Sequence, residues 1–206
     1  MRSSVMETRK LLALAVMLLA ILTSACTPKP FLKVQYRLPS TSAALAGETI
    51  ALTISDRRKD PAFLSSKARE SIKNFDGTFS LVVLRDDGSG NLKGAYDINS
   101  LLREVFRQRL ENEGARVFSG ADTARAKLEI ELREFRLDIV DRKWVLHMSY
   151  RAGLLSHTGG QAEETVSGLA ERLKVMGKTD AEKILGELVT DMVNKLDVAA
   201  LFQKTQ

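Results

Sequence analysis

Hydrophobic and polar residues alternate along three long stretches of the chain: residues 49–55, 127–140 and 144–154. A period of two places every second side chain on the same face of a β-strand, so each stretch is predicted to be a half-buried strand. The phase of the middle stretch slips by one residue near Arg133 and Glu134, which indicates a β-bulge. The polar segment 141–143 predicts a tight hairpin between the last two strands. Shorter strands are predicted at 79–84, 117–118 and 164–168.

Two other stretches, 98–113 and 180–196, repeat apolar residues at helical spacing. Asp97 or Asn99 can cap the start of the first helix, and Gly114 suits its end. Thr179 and Glu182 have the spacing of a capping box at the start of the second. The apolar stripe of the second helix comprises Ile184, Leu185, Leu188, Met192 and Leu196. Strands and helices together predict an α+β fold, an antiparallel β-sheet with two amphipathic helices packed on one face.

The N-terminus has the layout of a secretory signal. Residues 1–10 are polar and net positive, residues 11–22 are unbroken apolar, and small residues lead to Cys26. The apolar run has 12 residues, whereas a helix that crosses the hydrocarbon core needs roughly 20. The segment from Leu22 to Cys26 resembles the bacterial lipobox, in which the signal is cut before a cysteine that receives diacylglycerol. The alternative is an ordinary secretory signal with Cys26 there by chance.

These features divide the chain into three predicted parts. Residues 1–25 are a lipoprotein signal peptide, residues 26–46 a lipidated cysteine with a flexible tether, and residues 47–206 a single α+β periplasmic domain. Three prolines in the second part, Pro28, Pro30 and Pro39, favour an extended tether. The residue after Cys26 is Thr27 and not aspartate, which at this position would mark retention in the inner membrane. This resembles the sorting pattern of outer-membrane lipoproteins. The sequence therefore predicts a lipid-anchored protein on the periplasmic side of the outer membrane.

Charge and cysteine content exclude several classes of function. The net charge of the 206 residues is +5, and it falls to +3 without the first 25, which hold three basic residues and one acidic residue. So small a charge attracts nucleic acid weakly, and no nucleic-acid partner is expected. Because Cys26 is the only cysteine, the chain has no intramolecular disulfide and no zinc site built on several cysteines.

No constellation of residues points to catalysis, to a cofactor or to a metal. His147 and His157 are ten residues apart and lack a paired metal-binding spacing. The glycines at 88, 90 and 94 miss the spacing of a phosphate loop. Trp144, Met148 and Tyr150 lie at period two and are expected in the core, with a lipid or peptide groove as the alternative. The sequence therefore predicts a protein that is not an enzyme.

Asp56, Arg57 and Arg58 form the candidate binding loop, because they follow directly on a predicted strand, where function often resides. The alternative is a solvated loop whose charges pair with one another.

These elements resemble the YajG-type family of bacterial lipoproteins. The resemblance rests on the lipobox at Cys26, on the strand that runs into Asp56-Arg57-Arg58, like the family's Asp-x-Arg, and on residues 110–117, which match its Leu-x-x-x-Gly-(Phe/Ala)-x-Val. The hairpin and the last helix follow in the same order, although Val166 stands where family members often carry tyrosine. The resemblance implies a location and a fold, not an activity.

Two classes of function remain open. The first is a non-catalytic binding or assembly module at the periplasmic membrane face, with an envelope protein, a lipid or a glycan as its partner. The second is an accessory lipoprotein subunit of an envelope transport or lipid-export complex.

Overall fold

The computed structural model describes residues 31–118, 120 and 124–205. Within these residues the fold is mixed α+β, with eight strands and four helices. They are, in chain order, β1 (Leu32–Arg37), β2 (Thr49–Asp56), α1 (Ser66–Ser71), β3 (Phe79–Leu84), β4 (Gly90–Tyr96), α2 (Ile98–Asn112), β5 (Arg116–Phe118), β6 (Ala126–Val140), β7 (Lys143–Ser156), β8 (Gln161–Leu173), α3 (Lys178–Lys195) and α4 (Val198–Lys204).

The strands form two sheets, whereas the sequence predicts one. The larger sheet has the order β5-β2-β6-β7-β8, and the smaller has the order β1-β3-β4. The long pairs β6–β7 and β7–β8 are antiparallel, but β2 runs parallel to both β5 and β6, and β1 runs parallel to β3. The predicted antiparallel sheet is therefore confirmed only in part: β2 and β1 join their neighbours in parallel, because alternation shows that one face is buried and says nothing about strand direction.

The two long helices lie between the sheets rather than on one face of a single sheet. Helix α2 contacts β2 and β5 of the larger sheet and β3 and β4 of the smaller. Helix α3 contacts β1 on one side and β7 and β8 on the other. The predicted apolar stripe of α3 is buried along its whole length, so each helix contributes to one core shared with both sheets.

Strand β1 lies in the segment predicted to be a flexible tether. Leu32, Val34 and Tyr36 are fully buried, and the strand pairs with β3 in the register Leu32 opposite Phe79. Residues 32–37 therefore belong to the folded domain, which begins well before the predicted boundary at Gly47. Six residues flanked by prolines are too short a run for their alternation to stand out from a linker.

Helix α3 protects the free edge of β1. The main-chain N–H of Lys33 donates to Glu182 Oε1 at 3.0 Å, and that of Arg37 donates to Thr190 Oγ1 at 3.1 Å. Gly186 lies between these two helical residues, four positions from each. This spacing places all three on one face of the helix, which supplies the hydrogen-bond partners that a neighbouring strand would otherwise supply.

Local details confirm several predictions and correct one. The register of β6 against β7 shifts between Leu132 and Glu134, which confirms the bulge. Asp97 caps α2, because its carboxylate accepts the N–H of Ser100 at 2.7 Å. The predicted capping box of α3 does not form, since the helix begins after Gly177 without a side-chain cap and the Glu182 carboxylate binds β1 instead.

Candidate functional site

The predicted binding loop follows β2, and most of its charge is used within the loop itself. Both oxygens of the Asp56 carboxylate accept from the Arg58 guanidinium, Oδ1 from Nε at 2.9 Å and Oδ2 from Nη2 at 2.7 Å. The main-chain N–H of Arg58 also donates to Asp56 at 3.1 Å. These hydrogen bonds from Arg58 hold the pKa of the Asp56 carboxyl below its ordinary value.

Arg58 ties the loop to the bulge in β6. Its Nη1 donates to the main-chain oxygen of Phe135 at 3.2 Å, and its side chain is only 5% exposed. The main-chain N–H of Arg57 donates to the oxygen of Leu132 at 2.8 Å, on the other side of the bulge. Asp56 and Arg58 therefore shape the loop, and the ion-paired interpretation fits them better than direct ligand binding.

Arg57 and Lys59 remain exposed and line a shallow groove with charged side chains of β6. Among the other lining residues, Arg136 pairs with Asp60, and Arg133 lies 3.5 Å from Glu131. The groove thus mixes charges of both signs on the outer surface of the sheet. Of the three predicted loop residues, Arg57 is the one whose side chain makes no hydrogen bond or ion pair within the described part of the chain.

The outer face of the larger sheet is polar at its centre. Arg151 of β7 donates to Glu131 of β6 at 2.7 and 3.1 Å and to Glu163 of β8 at 3.1 and 3.2 Å. The hydrogen bonds from Arg151 lower the pKa of the Glu131 carboxyl. This network joins three neighbouring strands across an open surface, so the face suits contact with a macromolecule better than enclosure of a small substrate.

The fold does not bring the two histidines together. His147 stands opposite Arg136 in the β6–β7 pair, whereas His157 lies beyond the end of β7, where its N–H donates to the oxygen of Arg125. Ten residues of extended chain separate them by about 33 Å. Within the described part of the chain, no group of three or more metal-binding side chains occurs.

The aromatic residues of β7 belong to the core, as expected. Trp144, Met148 and Tyr150 are at most 1% exposed. The Tyr150 hydroxyl donates to the main-chain oxygen of Met192 at 2.8 Å, and burial raises its pKa above the ordinary value. These side chains therefore line no groove.

A buried arginine that is not among the residues predicted from the sequence joins the two long helices. Arg109 of α2 is 7% exposed. Its guanidinium donates to the main-chain oxygens of Val193 at 2.7 Å and Leu196 at 3.2 Å, and to Glu113 at 2.7 Å. A cation at the C-terminal end of α3 satisfies carbonyls that have no partner within the helix. A signal for its burial was present in the sequence: Arg109 lies four residues after Val105 and seven after Leu102, on the apolar stripe of the helix, whereas Arg103 and Arg107 lie outside that stripe.

The lipidation candidate Cys26 lies outside the described residues. The described chain starts at Phe31, next to the first residue of β1. Within that part of the chain, no helix has the length and apolar character needed to span a bilayer.

No family model and no curated protein matches the chain. Among solved structures, a Xanthomonas campestris protein of the DUF330 family has 14% identity, a TM-score of 0.48 and coverage of 86% of this chain and 100% of its own. The rare lipoprotein B of Shewanella oneidensis has 10% identity, a TM-score of 0.39 and coverage of 71% and 89%. PelC of Paraburkholderia phytofirmans, solved as a dodecamer, has 11% identity, a TM-score of 0.38 and coverage of 75% and 94%. The similar structures thus include bacterial lipoproteins, without pointing to the YajG-type family.

Proposed function

We propose that this chain is a bacterial envelope lipoprotein, anchored through lipid on Cys26, whose α+β domain is a non-catalytic binding or assembly module at the periplasmic membrane face. The single observation that carries the proposal is the position of the only cysteine, which follows an apolar segment and comes directly after the small residues Ser24 and Ala25. The YajG-type resemblance and the outer-membrane location are parts of the same proposal.

The early start of the domain supports a role close to the membrane. Five peptide units connect Cys26 to Phe31, and they span at most about 18 Å when fully extended. Because β1 begins at Leu32, the folded domain has little freedom to move away from the surface that holds the anchor. Its partner is therefore expected at or near that surface: an envelope protein, a lipid or a glycan.

The use of charged side chains within the domain supports a non-catalytic role. Two buried arginines, Arg58 of the candidate loop and Arg109 at the junction of the two long helices, donate hydrogen bonds to main-chain oxygens and to neighbouring carboxylates. Arg57 is left to interact with a partner through an open, shallow groove. Such a surface favours binding over the enclosed, water-excluding geometry that catalysis uses.

A second candidate function, an accessory subunit of a transport or lipid-export complex, is favoured by β8. This strand has 13 residues and ends the order of the larger sheet. Among the described residues, no other strand pairs with its outer edge, and Leu169 on its outer face is 55% exposed. A long edge strand with apolar side chains is a ready surface for a protein partner.

The anchor is tested by Cys26→Ser in the full chain, with metabolic labelling by a palmitate analogue and fractionation of the cells. We expect the label and the retention in membranes to be lost. Ser24→Ala is the matched control, because alanine keeps a small side chain in the cleavage region. Unchanged labelling and membrane retention of the Cys26→Ser chain would refute the proposal.

The two candidate functions are separated by purifying the intact lipoprotein from detergent-solubilised membranes. A stable multi-subunit complex that Leu169→Arg disrupts would favour the accessory-subunit function. Leu92→Arg on β4, where the wild-type side chain is 70% exposed, controls for a new surface charge. Recovery of the lipoprotein without stoichiometric partners would favour the independent module.

A further inference from the structure

Four exposed apolar side chains lie together at one end of the larger sheet, and we call them the apolar tip. They are Val140, Leu173, Val175 and Met176, with exposures of 46%, 62%, 81% and 64%. Val140 and Leu173 both stand opposite Lys143 in the register of their strand pairs. Since adjacent strands are about 4.8 Å apart, these two side chains are separated by about 10 Å on the same face.

The loop that carries Val175 and Met176 is held in place from the protein side. The main-chain N–H groups of both residues donate to Oδ2 of the buried Asp180, from Val175 at 2.8 Å. The Trp144 indole N–H donates to the oxygen of Gly177 at 3.0 Å. The polar groups of the loop therefore face the domain, and its two largest apolar side chains are presented to the outside in a fixed geometry.

The apolar tip lies at the end of the molecule where the chain leads back to Cys26. Helix α3 begins beside the start of β1, because Glu182 in its second turn accepts the N–H of Lys33 at 3.0 Å. Lys178, the first residue of α3, lies 3.5 Å from the same Glu182 carboxylate. Phe31, 38% exposed, is two residues before Lys33, so it lies at the same level as the loop before α3.

Basic residues flank the segments that carry the apolar tip. Arg142 and Lys143 form the hairpin turn and its exit, and Lys174 and Lys178 flank the loop. The N–H of Lys174 donates to the oxygen of Arg142 at 2.9 Å, which joins the two segments. Acidic Asp141 and Glu171 are interspersed, and Lys143 pairs with Glu171 at 2.9 Å. Apolar side chains flanked by lysine and arginine suit the boundary of a bilayer, where acyl chains meet negatively charged phosphate headgroups.

We propose that the apolar tip contacts the phospholipid surface to which Cys26 is anchored, so that the larger sheet stands with this end on the membrane. The inference rests on the proposed lipid anchor and adds an orientation to it. A link of at most about 18 Å holds this end near the bilayer, while the opposite end of β6 lies up to about 50 Å away along its 15 residues. The outer face and the edge of β8 then project into the periplasm, open to a partner.

The test uses the full lipidated chain with a single introduced cysteine at position 175, Val175→Cys, because the thioether to diacylglycerol blocks the thiol of Cys26. The cysteine carries an environment-sensitive fluorophore, and the protein is reconstituted in vesicles of phosphatidylethanolamine and phosphatidylglycerol. Leu92→Cys is the matched control, as Leu92 is also exposed but lies on β4 of the smaller sheet. We expect a blue shift and quenching by brominated acyl chains for the label at position 175 and neither for the label at position 92.

Two outcomes of this test would overturn the orientation, and a third would refute the lipid anchor. Equal, water-like emission from both labels on anchored protein overturns the orientation and leaves the lipid anchor intact. The same label can also be measured in native membranes. If it is shielded from water there but not in vesicles that hold no other protein, the orientation is overturned as well, since the tip then contacts a protein. Labelling of Cys26 itself by the thiol reagent shows that the anchor is missing, which refutes the proposed function separately.

Discussion

The guanidinium of Arg109 donates a hydrogen bond of 2.7 Å to the main-chain oxygen of Val193, near the C-terminal end of α3. This contact joins residues 84 positions apart in the chain. It places a positive charge at the negative end of a helix dipole, in a site almost closed to water. The neighbouring Glu113, 12% exposed, balances the charge at 2.7 Å.

We predict that Arg109→Leu lowers the free energy of unfolding by about 3–5 kcal/mol, because it leaves Glu113 and the end of α3 without a partner. Arg107→Leu, on the same helix, is the control. Arg107 also pairs with carboxylates but is 38% exposed, so its loss should cost less than about 1 kcal/mol. Urea unfolding of the mature chain measures both. Equal costs for the two variants would contradict the assignment of Arg109 as the helix junction.

We predict that Gly186→Ala destabilises the protein although alanine is the better helix former. A Cβ at position 186 would lie 2.8 Å from the oxygen and 3.1 Å from the nitrogen of Gln35, so α3 would have to move away from β1. We expect a loss of about 1–3 kcal/mol. At Gly153, where a Cβ would meet no atom within 4 Å, the same substitution should not destabilise. A Gly186→Ala chain as stable as its parent would show that the helix does not pack this closely.

We predict that Leu188→Ala costs about 2–5 kcal/mol. Leu188 is 4% exposed, and it faces β8, where a Cβ added to Gly168 would come within 3.1 Å of Leu188 Cδ1. Thermal unfolding provides the measurement, with Leu169→Ala as the control for an exposed leucine. A melting midpoint unchanged from the parent would mean that α3 is not part of the core.

We predict that Asp180→Asn lowers stability at neutral pH and that this loss disappears in acid. Hydrogen bonds from the N–H groups of Met176 and Val175 lower the pKa of the Asp180 carboxyl. A carboxyl with a lowered pKa stabilises the fold fully above its unfolded pKa of about 3.9, and the contribution is lost as the pH falls through the folded value. The difference between parent and variant in urea should therefore be the same at pH 7 and pH 5 and shrink below pH 4. Asp191→Asn, at an exposed position of α3, should show little difference at any of these pH values.

We predict that Thr27→Asp moves the lipoprotein from the outer to the inner membrane, because an aspartate after the lipidated cysteine resembles the retention signal of inner-membrane lipoproteins. Thr27→Ser should leave the distribution unchanged. Separation of the two membranes on a density gradient, followed by immunodetection, measures the effect. An unaltered outer-membrane fraction for Thr27→Asp would show that this position does not direct sorting here.

Most short elements were hard to predict, although the six-residue β3 was predicted from its run of apolar side chains. β1, α1 and α4 have six or seven residues, which is less than two full turns of a helix or too few alternations to distinguish a strand from a linker. β4 is mostly exposed and contains two glycines, so it has almost no apolar pattern. In each case contacts made by the rest of the chain stabilise the segment, and local sequence carries little of that information.

Long periodic elements were predictable because burial of one face leaves a repeat in the sequence. The alternation in β6 and β7, the slip at the bulge and the apolar stripe of α3 all followed from the periods of two and 3.6 residues. The single cysteine behind an apolar segment likewise supports the anchor without any knowledge of the fold. The sequence also predicted that Asp56-Arg57-Arg58 forms a charged loop. It did not predict which of these side chains pair within the protein.

The sequence by itself therefore determined the elements whose burial repeats along the chain, and only the tertiary structure decided how they meet. Strand direction, the division into two sheets and the burial of Arg109 depend on residues far apart in sequence, such as Lys33 and Glu182. The apolar tip could not be predicted from the sequence either, because Val140 and Val175 each resemble residues at the end of an ordinary buried strand or loop. Their exposure at one end of the sheet arises from the folded arrangement, since a side chain is exposed only when no distant segment covers it.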